Sequence, residues 1–103
     1  MSSPTFKTYA IRRRHGWHTP GQLEQSAELS AHVGDVEMPE DVRWIRSYVL
    51  AEPDGSLGTV CIYQATSPDK VREHASRAGL PADEVIKVVD TVLVRPDPGP
   101  AAA

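Results

Sequence analysis

Cysteine occurs once in the 103-residue chain, at Cys61, which excludes an internal disulfide and any CxxC zinc motif. Apolar runs are short. None approaches the ~18 residues of a membrane-crossing helix, and the opening MSSPTFK lacks the apolar centre of a secretory signal. Charge of one sign is also missing: eleven basic and fourteen acidic residues leave a formal net charge of −3. No global field therefore draws the chain to nucleic acid or to an anionic membrane. No GxGxxG, Walker-type loop, HExxH or GxSxG occurs, so dinucleotides, nucleoside triphosphates and the common hydrolase chemistries have no support. These absences leave one small domain, expected in a bacterial cytoplasm, with no membrane and no nucleic-acid partner.

Both ends read as tails. Residues 1–5 are short and polar, and 96–103 are too rich in proline and glycine to pack. Between them, at 6–95, lies the domain. A first strand is predicted at 6–13, with Tyr9 and Ile11 on one face. HGWH (15–18) forms a turn, and Thr19 caps a helix with Pro20 at its first position and Gln22 closing a capping box. That helix should reach about Val33, where Gly34 stops it. DVRWIRSYVLA (41–51) and GTVCIYQA (58–65) are strands joined by EPDGS, a hairpin turn in which Gly55 takes positive φ. Ser67 and Pro68 start a second helix, and Gly79 with Pro81 ends it. The β-branched run EVIKVVDTVLV (84–94) supplies the last strand. The order βαββαβ is that of a ferredoxin-like α+β fold, an antiparallel sheet with two helices on one face.

The other face is open, and function is expected there. Alternation assigns Ile45, Val49, Val60 and Ile62 to the helix side, and Trp44, Arg46, Tyr48, Cys61 and Tyr63 to the open side. A one-residue slip of register exchanges the two sets. Three aromatics, an arginine and a thiol make a poor solvent surface and a plausible pocket or dimer face. A second copy laid over them closes a two-sheet barrel. Arg46 then pairs with a carboxylate across the dimer or holds an anionic ligand, while Tyr48 and Tyr63 orient that ligand or simply pack.

Histidines raise the second question. Val71, His74, Ala75 and Ala78 fall at i, i+3, i+4 and i+7, the stripe a helix turns inward. His74 is there either as a ring bonded to backbone or as a metal ligand. With Cys61 on the open face, the sheet would separate the two. His15 and His18 flank Trp17 and form a chelating pair for Ni²⁺, Cu²⁺ or Zn²⁺, or else an exposed loop. Cys61 is a buried thiol or a nucleophile that needs Arg46 beside it. His32 is a solvated residue near a helix C-terminus. Arg12, Arg13 and Arg14 form no basic stripe, because alternation turns Arg13 away from its neighbours.

W-x-x-S-Y-V (Trp44, Ser47, Tyr48, Val49), C-x-Y (Cys61, Tyr63) and V-R-E-H-A-x-R-x-G-x-P-A (Val71 to Ala82) together resemble domain of unknown function family 4242. This is a group of small bacterial proteins, some of them described as nickel-binding. The resemblance implies a ferredoxin-like monomer pairing into a dimeric α+β barrel, with a metal or small ligand near the barrel. It also implies an acidic residue at the position of Arg12, and Glu or His at that of Arg46. Both are arginine here, and arginine has five donors and no lone pair for a metal.

Two readings follow. In the first the protein is a small homodimer binding a transition metal, nickel by resemblance, through His74, His15, His18 and Cys61. In the second it is a cofactor-free enzyme or binding protein that holds a small anionic molecule with Trp44, Arg46, Tyr48 and Tyr63. A structural dimer without a site is the third possibility.

Overall fold

The computed structural model describes residues 5–99; the outer parts of both expected tails, 1–4 and 100–103, lie outside the described residues. Six elements follow in the expected order: β1 (Lys7–Trp17), α1 (Pro20–His32), β2 (Val42–Ala51), β3 (Leu57–Ala65), α2 (Pro68–Ala78) and β4 (Glu84–Lys87). The strands lie in the order β2-β3-β1-β4, and every neighbouring pair is antiparallel. This is the ferredoxin-like α+β arrangement.

Both helices start as their sequences dictate. Thr19 Oγ1 accepts the amide of Gln22 and Ser67 Oγ that of Lys70, each at 3.2 Å, with a proline in the first turn. Gln22 reaches back to the amide of His18 rather than Thr19, so the box closes one residue early. Gly55 sits in the hairpin turn at φ 89° and Gly79 ends α2 at φ 65°, as expected.

Three boundaries differ from expectation. β1 does not turn at HGWH. It runs on to Trp17 through an irregularity in which its register on β3 moves from Arg13–Thr59 to Trp17–Leu57, with His15 at φ 51°. Trp17 draws the strand end inward, because its buried ring packs under α1 and Nε1 donates to Ser26 Oγ at 2.8 Å. Nor does Gly34 stop the first helix. The chain widens there into a π-helical turn, Val33–Glu37, which buries Val33 and lays Gly34 against the His74 ring. The last strand ends at Lys87 instead of residue 94. Lys87 is already opposite Tyr9, the amide of Val88 bonds Thr8, and β1 begins at Lys7, so its partner runs out.

The largest correction concerns the sheet faces. A bulge in β2 leaves Trp44 opposite Tyr63 and Arg46 opposite Ile62, with Ile45 as the extra residue. Trp44 therefore faces the helices together with Cys61 and Tyr63, while Val60 and Ile62 lie on the open face. Beyond the bulge Arg46 and Tyr48 do point to the open face, and Val49 to the helix side. The core lies between sheet and helices, around Tyr9, Ile11, Val33, Val42, Tyr63 and Val71.

Candidate functional site

His74 is fully buried on the inner stripe of α2, and its Nε2 donates to the carbonyl of Ser30 at 3.0 Å. The proton thus resides on Nε2, and Nδ1 presents a lone pair that has no partner among the described residues. Tyr63 meets the ring edge-on, with centroids 5.1 Å apart. Burial lowers the pKa of His74; the Ser30 carbonyl opposes that and the charge of Arg13 adds to it. The ring is neutral at pH 7.

Cys61 belongs to the same core, so the sheet does not divide it from His74. Its thiol donates to Thr59 Oγ1 at 3.3 Å, away from Arg46, which lies on the other face. Tyr63 stacks on Trp44 with centroids 6.2 Å apart, and its hydroxyl shares a buried 2.9 Å hydrogen bond with Ser30 Oγ. Burial raises the pKa of that phenol. Tyr63→Phe removes the bond and leaves the serine hydroxyl unpaired, so chemical unfolding should show a loss of about 1 kcal/mol.

His15 is the half-exposed centre of a polar cluster built where the irregular end of β1 meets the β2–β3 hairpin. Its Nδ1 lies 3.0 Å from Ser56 Oγ and 3.1 Å from Asp54 Oδ1. Glu52, largely buried, accepts Arg12 Nη2 at 2.8 Å and the amide of His15 at 2.9 Å. Arg12 holds the Glu52 carboxyl below its usual range, and the Ser56 hydroxyl and amide bring Asp54 down to about 2. Both carboxylates are ionised at neutral pH. His15 Nε2 is 4.0 Å from Glu52 Oε2, and the His15 side chain is half-exposed. His18 is exposed, and His32 lies 3.9 Å from Glu37.

A resident metal needs three or more such donors around one point, and among the described residues no group of His, Cys, Asp and Glu provides that. Glu52 is committed to Arg12, His74 to Ser30, and Cys61 to Thr59. One chain does not fit a closed metal cage.

Arg46 and Tyr48 sit together on the open face, but their carboxylate comes from their own chain. Asp97 Oδ2 lies 2.7 Å from Arg46 Nη1, and the Tyr48 hydroxyl donates to Asp97 Oδ1 at 2.6 Å. The C-terminal segment thus leads from β4 on one edge to β2 on the other, with Val89, Val92, Leu93 and Val94 exposed along it. Part of the expected tail is therefore docked, although it is rich in proline.

Under α1 lies a cavity of about 370 Å³, walled by Trp17, Leu23, Ala27, Val49 and Leu80. Cys61, Thr59, Ser47 and the inner arginine Arg13 border it. Arg13 was absent from the candidate residues. Its signal was the alternation that places it beyond Tyr9 and Ile11 on the inward face, a signal read only as breaking a basic stripe.

The profile of the family described as nickel responsive protein SCO4226-like matches residues 9–88. No curated protein matches the chain. Among solved structures, the crystal structure of SCO4226 from Streptomyces coelicolor A3(2) is similar with a TM-score of 0.64 and 24% identity. The likeness covers 82% of this chain and 99% of that one and bears on the fold alone. The matched family is thus a nickel-associated one, as the sequence resemblance implied, and it carries the SCO4226-like description instead of the 4242 label.

Proposed function

Because the chain belongs to the nickel-responsive SCO4226-like protein family, we propose that it is a small homodimeric protein that takes up a transition metal, nickel foremost, in the cytoplasm. The match over residues 9–88 is the observation that carries this reading. A lone free cysteine suits a reducing compartment. Lacking a closed cage, the chain meets the metal as cargo or signal at its surface. His15 and His18 are the sequence-derived ligands still facing solvent, and imidazole suits nickel. The ionised Asp54 beside His15 favours a cation there. His74 and Cys61, the other two proposed ligands, would have to give up existing hydrogen bonds first.

Two features support the homodimer. Val60 and Ile62 are only half-buried on the open face, beside the exposed Tyr48 and Ile86. The apolar side chains at 89–94 stand in solvent nearby in sequence to β4. A small domain hides little apolar surface by itself, and a second copy would cover both features.

Calorimetric titration of metal-stripped, tag-free protein with Ni²⁺, alongside sedimentation equilibrium, tests both parts. Micromolar uptake by a dimer is expected. The His15→Ala/His18→Ala double variant should lose about tenfold or more in affinity, or roughly 1.4 kcal/mol. Binding no tighter than millimolar would sink the metal reading, and a monomer at high concentration would sink the dimer.

A further inference from the structure

We propose that the cavity under α1 is a binding site for a small apolar monocarboxylic acid, whose carboxylate is received by the buried guanidinium of Arg13. The sequence suggested an anion at Arg46, but Asp97 already meets that residue. Arg13 has no such partner. It is 1% exposed and permanently charged, Nη1 donates to the Pro81 carbonyl, and Nη2 donates to nothing among the described residues. The arginines that pair with carboxylates are Arg12, Arg14, Arg46, Arg72 and Arg77. A buried cation without a counter-charge is costly, and this one borders the cavity.

Two more unspent donors border it too. Thr59 Oγ1 accepts from Cys61 and Ser47 Oγ accepts from the Trp44 indole at 2.8 Å, so each hydroxyl keeps its own proton to give. Tyr63 and Ser30 satisfy each other. Glu24 is the one carboxylate of the lining, and it lies exposed on α1.

This donor surplus selects the ligand class. An amine would be repelled by Arg13, and a neutral hydrocarbon would leave the guanidinium unpaired. A phosphate or dicarboxylate would bring excess charge against walls of Trp17, Leu23, Val49 and Leu80. One carboxylate on an apolar body satisfies both the cation and the walls. About 370 Å³ lies at the small end of ligand sites and suits a compact acid.

The site stands apart from the nickel reading, so the experiment uses metal-free protein in chelator. Trp17 and Trp44 line the cavity, and quenching of their fluorescence reports its occupancy. Phenylacetate and octanoate should quench saturably at one molecule per chain. 2-Phenylacetamide, nearly the same shape without the charge, should bind about tenfold more weakly or worse, and inorganic phosphate should not bind. Arg13→Met should erase the preference for acid over amide, while Ala27→Phe, which fills the cavity and keeps Arg13, should abolish both. No saturable signal with either acid, equal affinity for acid and amide, or a preference that survives Arg13→Met would overturn the proposal. If Arg13→Met does not fold, the acid-to-amide ratio on the unaltered protein decides.

Discussion

Gly58→Ala should cost about 3 kcal/mol, the largest loss expected of any single methyl added to this fold. Gly58 lies in β3, and a Cβ there would stand 2.7 Å from the Arg13 carbonyl oxygen, 2.7 Å from Glu52 Oε2 and 2.8 Å from Arg12 Nη1. None of the three can yield. The carbonyl is backbone at the start of the β1 irregularity, Glu52 is held by Arg12 and the His15 amide, and Arg12 Nη1 itself bonds the Arg13 carbonyl at 2.8 Å. The missing side chain is the space in which the Arg12–Glu52 pair closes. Urea unfolding should show a lower midpoint with an unchanged slope, and melting should fall by roughly 15 °C for a domain of this size. A change under about 0.5 kcal/mol would mean that the approach is not kept in solution.

His74→Ala should be nearly as damaging, about 3 kcal/mol, because it empties a fully buried ring site and removes the bond to Ser30. The same residue makes stability depend on pH. Its pKa is lower in the folded protein than in the unfolded chain, so between those two values the unfolded chain binds more protons. Stability should therefore fall as pH drops from about 6.5, and level off once pH is below the folded value. The carboxylates act further down: Asp54, held near 2, loses its contribution only as pH falls below the ordinary aspartate range. His74→Gln keeps a donor for Ser30 and carries no titrating proton. Melting temperatures of this variant should be flat across pH 5 to about 7 where those of the unaltered protein decline. An equal decline in both would assign the dependence elsewhere.

Local signals were legible in the sequence, and relations between strands were not. Thr19 and Ser67 cap their helices because the partner amide lies three residues away, and the hairpin glycine acts through its own φ. The order of elements and the inward stripe of α2 with His74 followed from periodicity. What failed depended on distant chain. The extra residue at Ile45 shows only once β2 is laid on β3, and with it went the placement of Trp44, Cys61 and Tyr63. The early end of β4 depends on where β1 begins. Asp97 meets Arg46 across a sequence separation that no periodicity spans. Arg13 was hidden for a different reason: burial of an unpaired cation runs against the rule by which cores are predicted.

The bulge at Ile45 has a consequence for how this protein can change over evolutionary time. It acts as a phase shift, so that one strand answers inward at Trp44 and outward at Arg46 with a single residue between them. Loss of Ile45 itself would only restore regular pairing, with Trp44 still inward and Arg46 still outward, whereas loss of Ser47 beyond it would turn Tyr48 toward the core and Val49 out. Substitution carries no such penalty: side chains at 46 and 48 can alter in charge and size without touching the packing under the helices. A change of length past the bulge thus disturbs the packing under the helices in a way that loss of the bulge residue does not, while the outer chemistry at 46 and 48 stays free to diverge.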